Sequence, residues 1–171
     1  MGEGNETRYA YDVRGNLRFL TDAKNQTTEF RYDRANRLVK EIRPMGQEVS
    51  YQYDAAGNLI QRLDSKNQKR GYGYDEAGRL IDTRYYHPAD PVNPVKTVLF
   101  SYDNLGNLIS YDDGETSAAY TYDDLSRKLL ETVNYGSFIK TIGYEYYANG
   151  TKKGFTGPDG TTYAYAYDPN N

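Results

Sequence analysis

Aromatic and apolar residues recur along the chain in short alternating runs, separated by clusters of turn formers, and the runs themselves repeat. An aromatic residue, one intervening residue and a tyrosine appear eight times: Tyr9-Ala10-Tyr11, Phe30-Arg31-Tyr32, Tyr51-Gln52-Tyr53, Tyr72-Gly73-Tyr74, Phe100-Ser101-Tyr102, Tyr120-Thr121-Tyr122, Tyr144-Glu145-Tyr146 and Tyr165-Ala166-Tyr167. Residues two apart share one face of a strand, so each run predicts a strand with an aromatic face. The second tyrosines are 21, 21, 21, 28, 20, 24 and 21 residues apart. A period of this kind predicts a repeat architecture, in which each unit buries apolar surface only by stacking on its neighbours.

The polar residues between the runs specify turns. An aspartate follows the second tyrosine at Asp12, Asp33, Asp54, Asp75, Asp103, Asp123 and Asp168. Aspartate at this place opens a type I turn, and such a hairpin closes with a residue at positive φ. That slot holds Gly15, Asn36, Gly57, Gly78, Gly106, Ser126 and Gly150; glycine and asparagine suit it, and Ser126 is the exception. A second strand follows, as in Asn58 to Leu63, with Leu59, Gln61 and Leu63 alternating on one face; its leucine slot is filled by Leu17, Leu38, Leu59, Leu80 and Leu108. A second turn then leads to the next aromatic pair, signalled by Asp22 to Asn25, Pro44 to Gly46, Asp64 to Asn67, Asp112 to Gly114 and Pro158 to Gly160. Two strands per period and no helical periodicity predict an all-β antiparallel meander of repeated hairpins, about 15 strands in a single array over residues 1–171. Accumulated twist makes so wide a sheet curl, split or close. If it does not close, its terminal strands offer unpaired backbone for self-association.

Three irregularities modify the pattern. The 28-residue interval contains Pro88, Pro91 and Pro94, which predict a projecting loop or edge bulge over residues 86–95 rather than a ladder. In the sixth unit Lys128 takes the leucine slot with Leu129 one position late, which flips the face unless a bulge restores register. The seventh carries Tyr147 for aspartate and Lys152 for leucine, so the C-terminal half is expected to be less regular.

Composition changes the picture in one respect. Leu, Ile, Val and Phe make up 30 of 171 residues, under a fifth, which by itself leans toward disorder. Twenty tyrosines reverse that reading, because a tyrosine covers a large area while its hydroxyl stays wet or bonded. Net charge is −3 with scattered cations, which argues against nucleic-acid binding. No apolar run is long enough to span a bilayer, and the polar start at Met1 to Gly4 is not a signal peptide. There is no cysteine for disulfides or thiol chemistry.

Candidate chemistry is sparse. The one-per-repeat aspartates do not converge as a glycosidase pair must, and their place at turn starts marks them as turn caps. The tyrosine pairs are read as packing and cross-strand aromatic pairs, with ligand stacking the alternative. His87, the sole histidine, stands in the proline-rich segment without partners for a zinc site. Asp112, Asp113 and Glu115, with Asp123 and Asp124, form an acidic patch that does not match a calcium loop. No cofactor, metal or catalytic residue is expected.

The segment Tyr53-Asp54-Ala55-Ala56-Gly57-Asn58-Leu59-Ile60, with near copies at Tyr11 to Leu17, Tyr74 to Leu80 and Tyr102 to Leu108, resembles the YD repeats of Rhs proteins. The same repeats occur in bacterial wall-associated proteins, in the B and C components of insecticidal toxin complexes and in teneurins. The resemblance implies a non-catalytic strip that spirals into a hollow shell. Its partners would be further repeats and an enclosed C-terminal toxin, in a secreted or cell-surface parent. The alternative is a carbohydrate- or protein-binding module with an exposed tyrosine face. In such proteins the repeats end in a self-cleavage region; Asp168-Pro169-Asn170-Asn171 lacks its glycine, so the segment resembles shell wall alone. The repeat signature residues on this reading are Tyr11, Asp12, Gly15, Tyr32, Asp33, Asn36, Tyr53, Asp54, Gly57, Tyr74, Asp75, Gly78, Tyr102, Asp103, Gly106, Tyr122, Asp123, Tyr146, Gly150, Tyr167 and Asp168.

Overall fold

The structure, a computed structural model, describes residues 6–168. Met1 to Gly4 and Pro169 to Asn171, on which the readings of the leader and the cleavage motif rest, lie outside the described residues. Among the described residues there are fifteen β-strands and no helix, and their hydrogen-bonded order is the sequence order. Tyrosine, threonine and β-branched residues dominate the strands, as a pleated, half-covered surface favours. The chain divides into two compact units: residues up to 79 with 83–95, and residues 80–82 with 96 onward.

The first unit contains β1 (Arg8–Tyr11), β2 (Leu17–Thr21), β3 (Thr27–Tyr32), β4 (Leu38–Ile42), β5 (Glu48–Tyr53), β6 (Leu59–Leu63) and β7 (Lys69–Tyr74). It also takes most of β8 (Leu80–His87) and the beginning of β9 (Asp90–Tyr102). The second contains the rest of those two strands, β10 (Leu108–Asp112), β11 (Ser117–Tyr122), β12 (Lys128–Asn134), β13 (Ile139–Tyr146), β14 (Lys152–Thr156) and β15 (Thr162–Ala164).

Six of the hairpins closed by the first turn share one register device. In the first unit the pairing slips at the second tyrosine, which then faces the leucine slot: Tyr11 opposite Leu17, Tyr32 opposite Leu38 and Tyr53 opposite Leu59. The second unit repeats this with Tyr102 opposite Leu108, Tyr122 opposite Lys128 and Tyr146 opposite Lys152. Each slip is a β-bulge beside a turn residue at positive φ, the pairing expected of three-residue hairpin loops.

Three details differ from the sequence reading, and one condition it set is met. Ser126 is not an exception, since it adopts φ 60° itself. Lys128 keeps the face of its strand, because a bulge restores register there. A like bulge interrupts the alternation of Leu59 with Gln61. The proline-rich segment is not a loop: β8 and β9 are the arms of a long hairpin, and Pro91 and Pro94 lie within β9. A proline without an N–H is tolerated where a strand edge is open, and residues 87–95 are all exposed.

Burial is slight. Among the described residues, Val49 and Thr83 in the first unit and Ala118 in the second are the buried side chains, and most strand residues are half-covered or exposed. Among the described residues, the main strand contacts within each unit join sequence neighbours, as in a single layer of sheet. Its order therefore rests on the backbone ladder and on side chains that reach from one repeat to the next.

Candidate functional site: the row of repeat turns

The most elaborated local structure is the first turn of each repeat. In Asp54 to Asn58, the N–H of Gly57 donates to the Asp54 carbonyl at 3.2 Å, and the N–H of Asp54 donates to the Asn58 carbonyl at 3.0 Å. Gly57 has φ 96°, a conformation that a side chain strains. The Asp54 carboxylate accepts the backbone N–H of Asn58 at 2.8 Å on Oδ1 and the Asn58 amide at 3.0 Å on Oδ2. The same arrangement recurs at Asp12 with Asn16 and at Asp103 with Asn107. At Asp33, Asp75 and Asp123 the second donor is the guanidinium of Arg37, Arg79 or Arg127, at 2.8, 2.7 and 2.6 Å.

These bonds hold the turn carboxylates ionised. In Asp12, Asp54 and Asp103 the side-chain amide of Asn16, Asn58 or Asn107 is the main cause of a lowered pKa. In Asp33 and Asp75 the backbone N–H of Arg37 and of Arg79 leads. At Asp123 partial burial pulls upward, and the N–H groups of Arg127 overcome it. A carboxylate with two or three donors favours its charged form.

In five repeats the second tyrosine is a clamp to the repeat before it. Its hydroxyl donates to the carbonyl of the preceding leucine slot: Tyr53 to Leu38 at 2.8 Å, Tyr74 to Leu59 at 3.0 Å, Tyr102 to Leu80 at 2.9 Å, Tyr122 to Leu108 at 2.8 Å and Tyr146 to Lys128 at 3.0 Å. Burial raises the pKa of Tyr53 and Tyr74, which keeps them donors. Cross-strand aromatic pairing is the minor use of these rings. Among the described residues, the ring pairs are Tyr135–Phe138, Tyr144–Phe155, Tyr147–Tyr167 and Phe155–Tyr163, and none joins two second tyrosines. Cations cover several rings instead: Arg37 lies 4.8 Å from the Tyr53 centroid, and Arg127 lies 4.8 Å from that of Tyr146.

The irregular repeats keep the geometry with substitutes. Where Tyr147 replaces aspartate, the N–H of Gly150 still donates to its carbonyl at 3.0 Å. Asn149 supplies the acceptor, taking the Thr151 N–H at 3.1 Å and hydroxyl at 2.7 Å. Lys128 sends its ammonium to Glu131 at 2.9 Å and over the Tyr120 ring at 4.4 Å, so its stem does the covering that leucine does elsewhere. Tyr167 and Asp168 follow β15 outside any strand, and Tyr167 packs edge to face on Tyr147.

The remaining candidates resolve into turns. Asp113 receives Lys96 at 2.9 Å and the N–H groups of Thr116 and Glu115, and its pKa is strongly lowered by Lys96; Asp112 caps Gly114. His87 is exposed and accepts the N–H of Ala89 at 3.2 Å. Among the described residues no three His, Cys, Asp or Glu side chains gather as a metal site, and no helix is long and apolar enough to cross a membrane. A shallow groove of about 380 Å³ in the second unit is walled by Tyr147, Phe155 and Tyr163 with Glu145 and Lys153 alongside. The asparagine or arginine four places after each turn aspartate escaped the sequence reading. The signal was there, because the slot runs Asn16, Arg37, Asn58, Arg79, Asn107, Arg127.

Comparison with known proteins follows the same repeats. The family model described as the RHS repeat matches residues 11–46, 32–69 and 53–90. No curated protein matches the chain. Among solved structures, a TcdB2-TccC3 complex with Cdc42 superposes with a TM-score of 0.75 at 22% identity, over 92% of this chain and 9% of the other. TcdB2-TccC3 without its hypervariable C-terminal region gives 0.74 at 23%, over 87% and 9%. A Tc holotoxin pore of Photorhabdus luminescens with a mutated TccC3 gives 0.73 at 22%, over 88% and 9%. The chain thus spans about a tenth of those chains, and at this identity the likeness is one of fold.

Proposed function

We propose that this chain, whose residues 11–90 match the RHS-repeat family model, is a structural segment, one continuous array that forms part of the wall of a hollow shell around a C-terminal toxin. The observation that carries this reading is the repeated inter-hairpin clamp. Side chains that in an enzyme would converge on substrate are here engaged in joining each repeat to the next. The wall is non-catalytic on this reading, and its partners are further repeats and the enclosed cargo of a secreted or cell-surface parent protein. Support comes from the superposition on TcdB2-TccC3, a protein complex whose hypervariable C-terminal region was removed in one of the matching structures.

The test is protease access in the parent protein. The segment that follows the repeats should resist digestion in the intact protein and become cleavable when Gly57→Val and Gly106→Val break two turns. Equal digestion in both would overturn the enclosing role.

A binding module is the second reading, favoured by the groove between Tyr147, Phe155 and Tyr163. A glycan array with no ligand that depends on these rings would remove it.

A further inference from the structure

The junctions between repeats are of two chemical kinds. In one kind an arginine crosses to the next repeat. Arg37 donates to the Asp54 carbonyl at 3.0 Å while held by Asp33 and lying over Tyr53. Arg127 donates to the Tyr147 carbonyl at 3.0 Å while held by Asp123 and lying over Tyr146. In the other kind a neutral amide crosses. Asn16 reaches Asn36 at 3.0 Å, and Asn107 reaches the Ser126 hydroxyl at 3.0 Å. Asn58 faces Gly78, where an added Cβ would lie 4.0 Å from its Oδ1.

We infer that the array is built of two-repeat blocks stapled by Arg37 and by Arg127, and that it opens first at the asparagine junctions between blocks. In a linear array each repeat touches only its neighbours, so opening begins where the interface is weakest. The arginine junctions at Arg37 and Arg127 combine an ion-paired guanidinium, a charge-assisted bond to a carbonyl and a covered ring; the junctions at Asn58 and Asn107 have at most neutral hydrogen bonds between side chains, and the one at Asn16 adds a bond from Arg14 to the Arg34 carbonyl at 3.2 Å. The tyrosine clamp is common to both kinds: Tyr53 and Tyr146 serve arginine junctions, Tyr74 and Tyr122 asparagine ones. It therefore does not tell them apart. At two asparagine junctions the positive-φ slot is polar: Asn36 and Ser126 are each bonded by an asparagine of the preceding repeat, whereas Gly57 lies beside the Arg37 guanidinium. This inference goes beyond the shell-wall reading and does not depend on what the wall encloses.

Native-state amide exchange on the whole chain tests it. In the second unit, β11 amides that pair with β10 should exchange about tenfold faster than β13 amides that pair with β12. In the first unit Lys40 and Glu48 also bridge β4 and β5 at 2.7 Å, so variants isolate the arginine there. Arg37→Asn should speed exchange in β5 and leave β7 unchanged. Asn58→Arg, placed before Gly78 as Arg37 is before Gly57, should slow β7 several-fold and leave β5 unchanged. The second variant adds a contact and keeps the test open should the first unfold. Equal exchange in β11 and β13, or variants that shift β5 and β7 together, would overturn the inference.

Discussion

At Gly57 and Asp54 the backbone and one carboxylate together define the turn. A β-branched residue at φ 96° is strained by the backbone itself. Gly57→Val should therefore lower stability by about 1–3 kcal/mol, read as a shifted denaturant midpoint. An unchanged midpoint would contradict the turn geometry. The turn aspartates predict a pH response. Their folded pKa values lie below those of the unfolded chain, so their contribution is fully present above about pH 4 and is lost as pH falls through the lower folded values. Denaturant midpoints should stay level from pH 7 to 5 and drop below about pH 4. A decline beginning near pH 6 would show that other groups dominate. The aspartate and glycine positions were legible in the sequence because turn chemistry is local. Ser126 was not, since its tolerance of positive φ depends on Asn107 nineteen residues away in the preceding repeat.

At the scale of the hairpin, the tyrosine hydroxyl matters more than ring-on-ring packing. Tyr53→Phe keeps the ring and leaves the Leu38 carbonyl without that donor, so it should cost about 0.5–1.5 kcal/mol. Tyr51→Phe, at a position with no such clamp among the repeats, serves as the control; equal effects of the two would remove the clamp from the account. Lys128→Leu should preserve the register and change stability by less than about 1 kcal/mol, because Lys152 shows that a cation serves in this slot too. The strand pattern was readable from period-two alternation. The long β8–β9 hairpin was not, because proline reads as a strand breaker and nothing local says that an edge is free. The bulge was legible only at Lys128, where the leucine slot shifts, because it changes pairing without changing spacing.

At the scale of the whole molecule, the likeness to the RHS repeat and the all-β meander were visible in the sequence because a 21-residue period repeats the same turn and the same tyrosine. What the proposed wall would enclose was not, since the repeats spell out only their own turns and clamps. The central claim is that the repeats are a wall, so the direct measurement is an electron cryo-microscopy map of the full-length parent protein. The account predicts one unbroken antiparallel ladder through these repeats and their neighbours, with density of the C-terminal segment on its enclosed side. Repeats standing as a separate module, with the C-terminal segment outside and in contact with solvent, would contradict it.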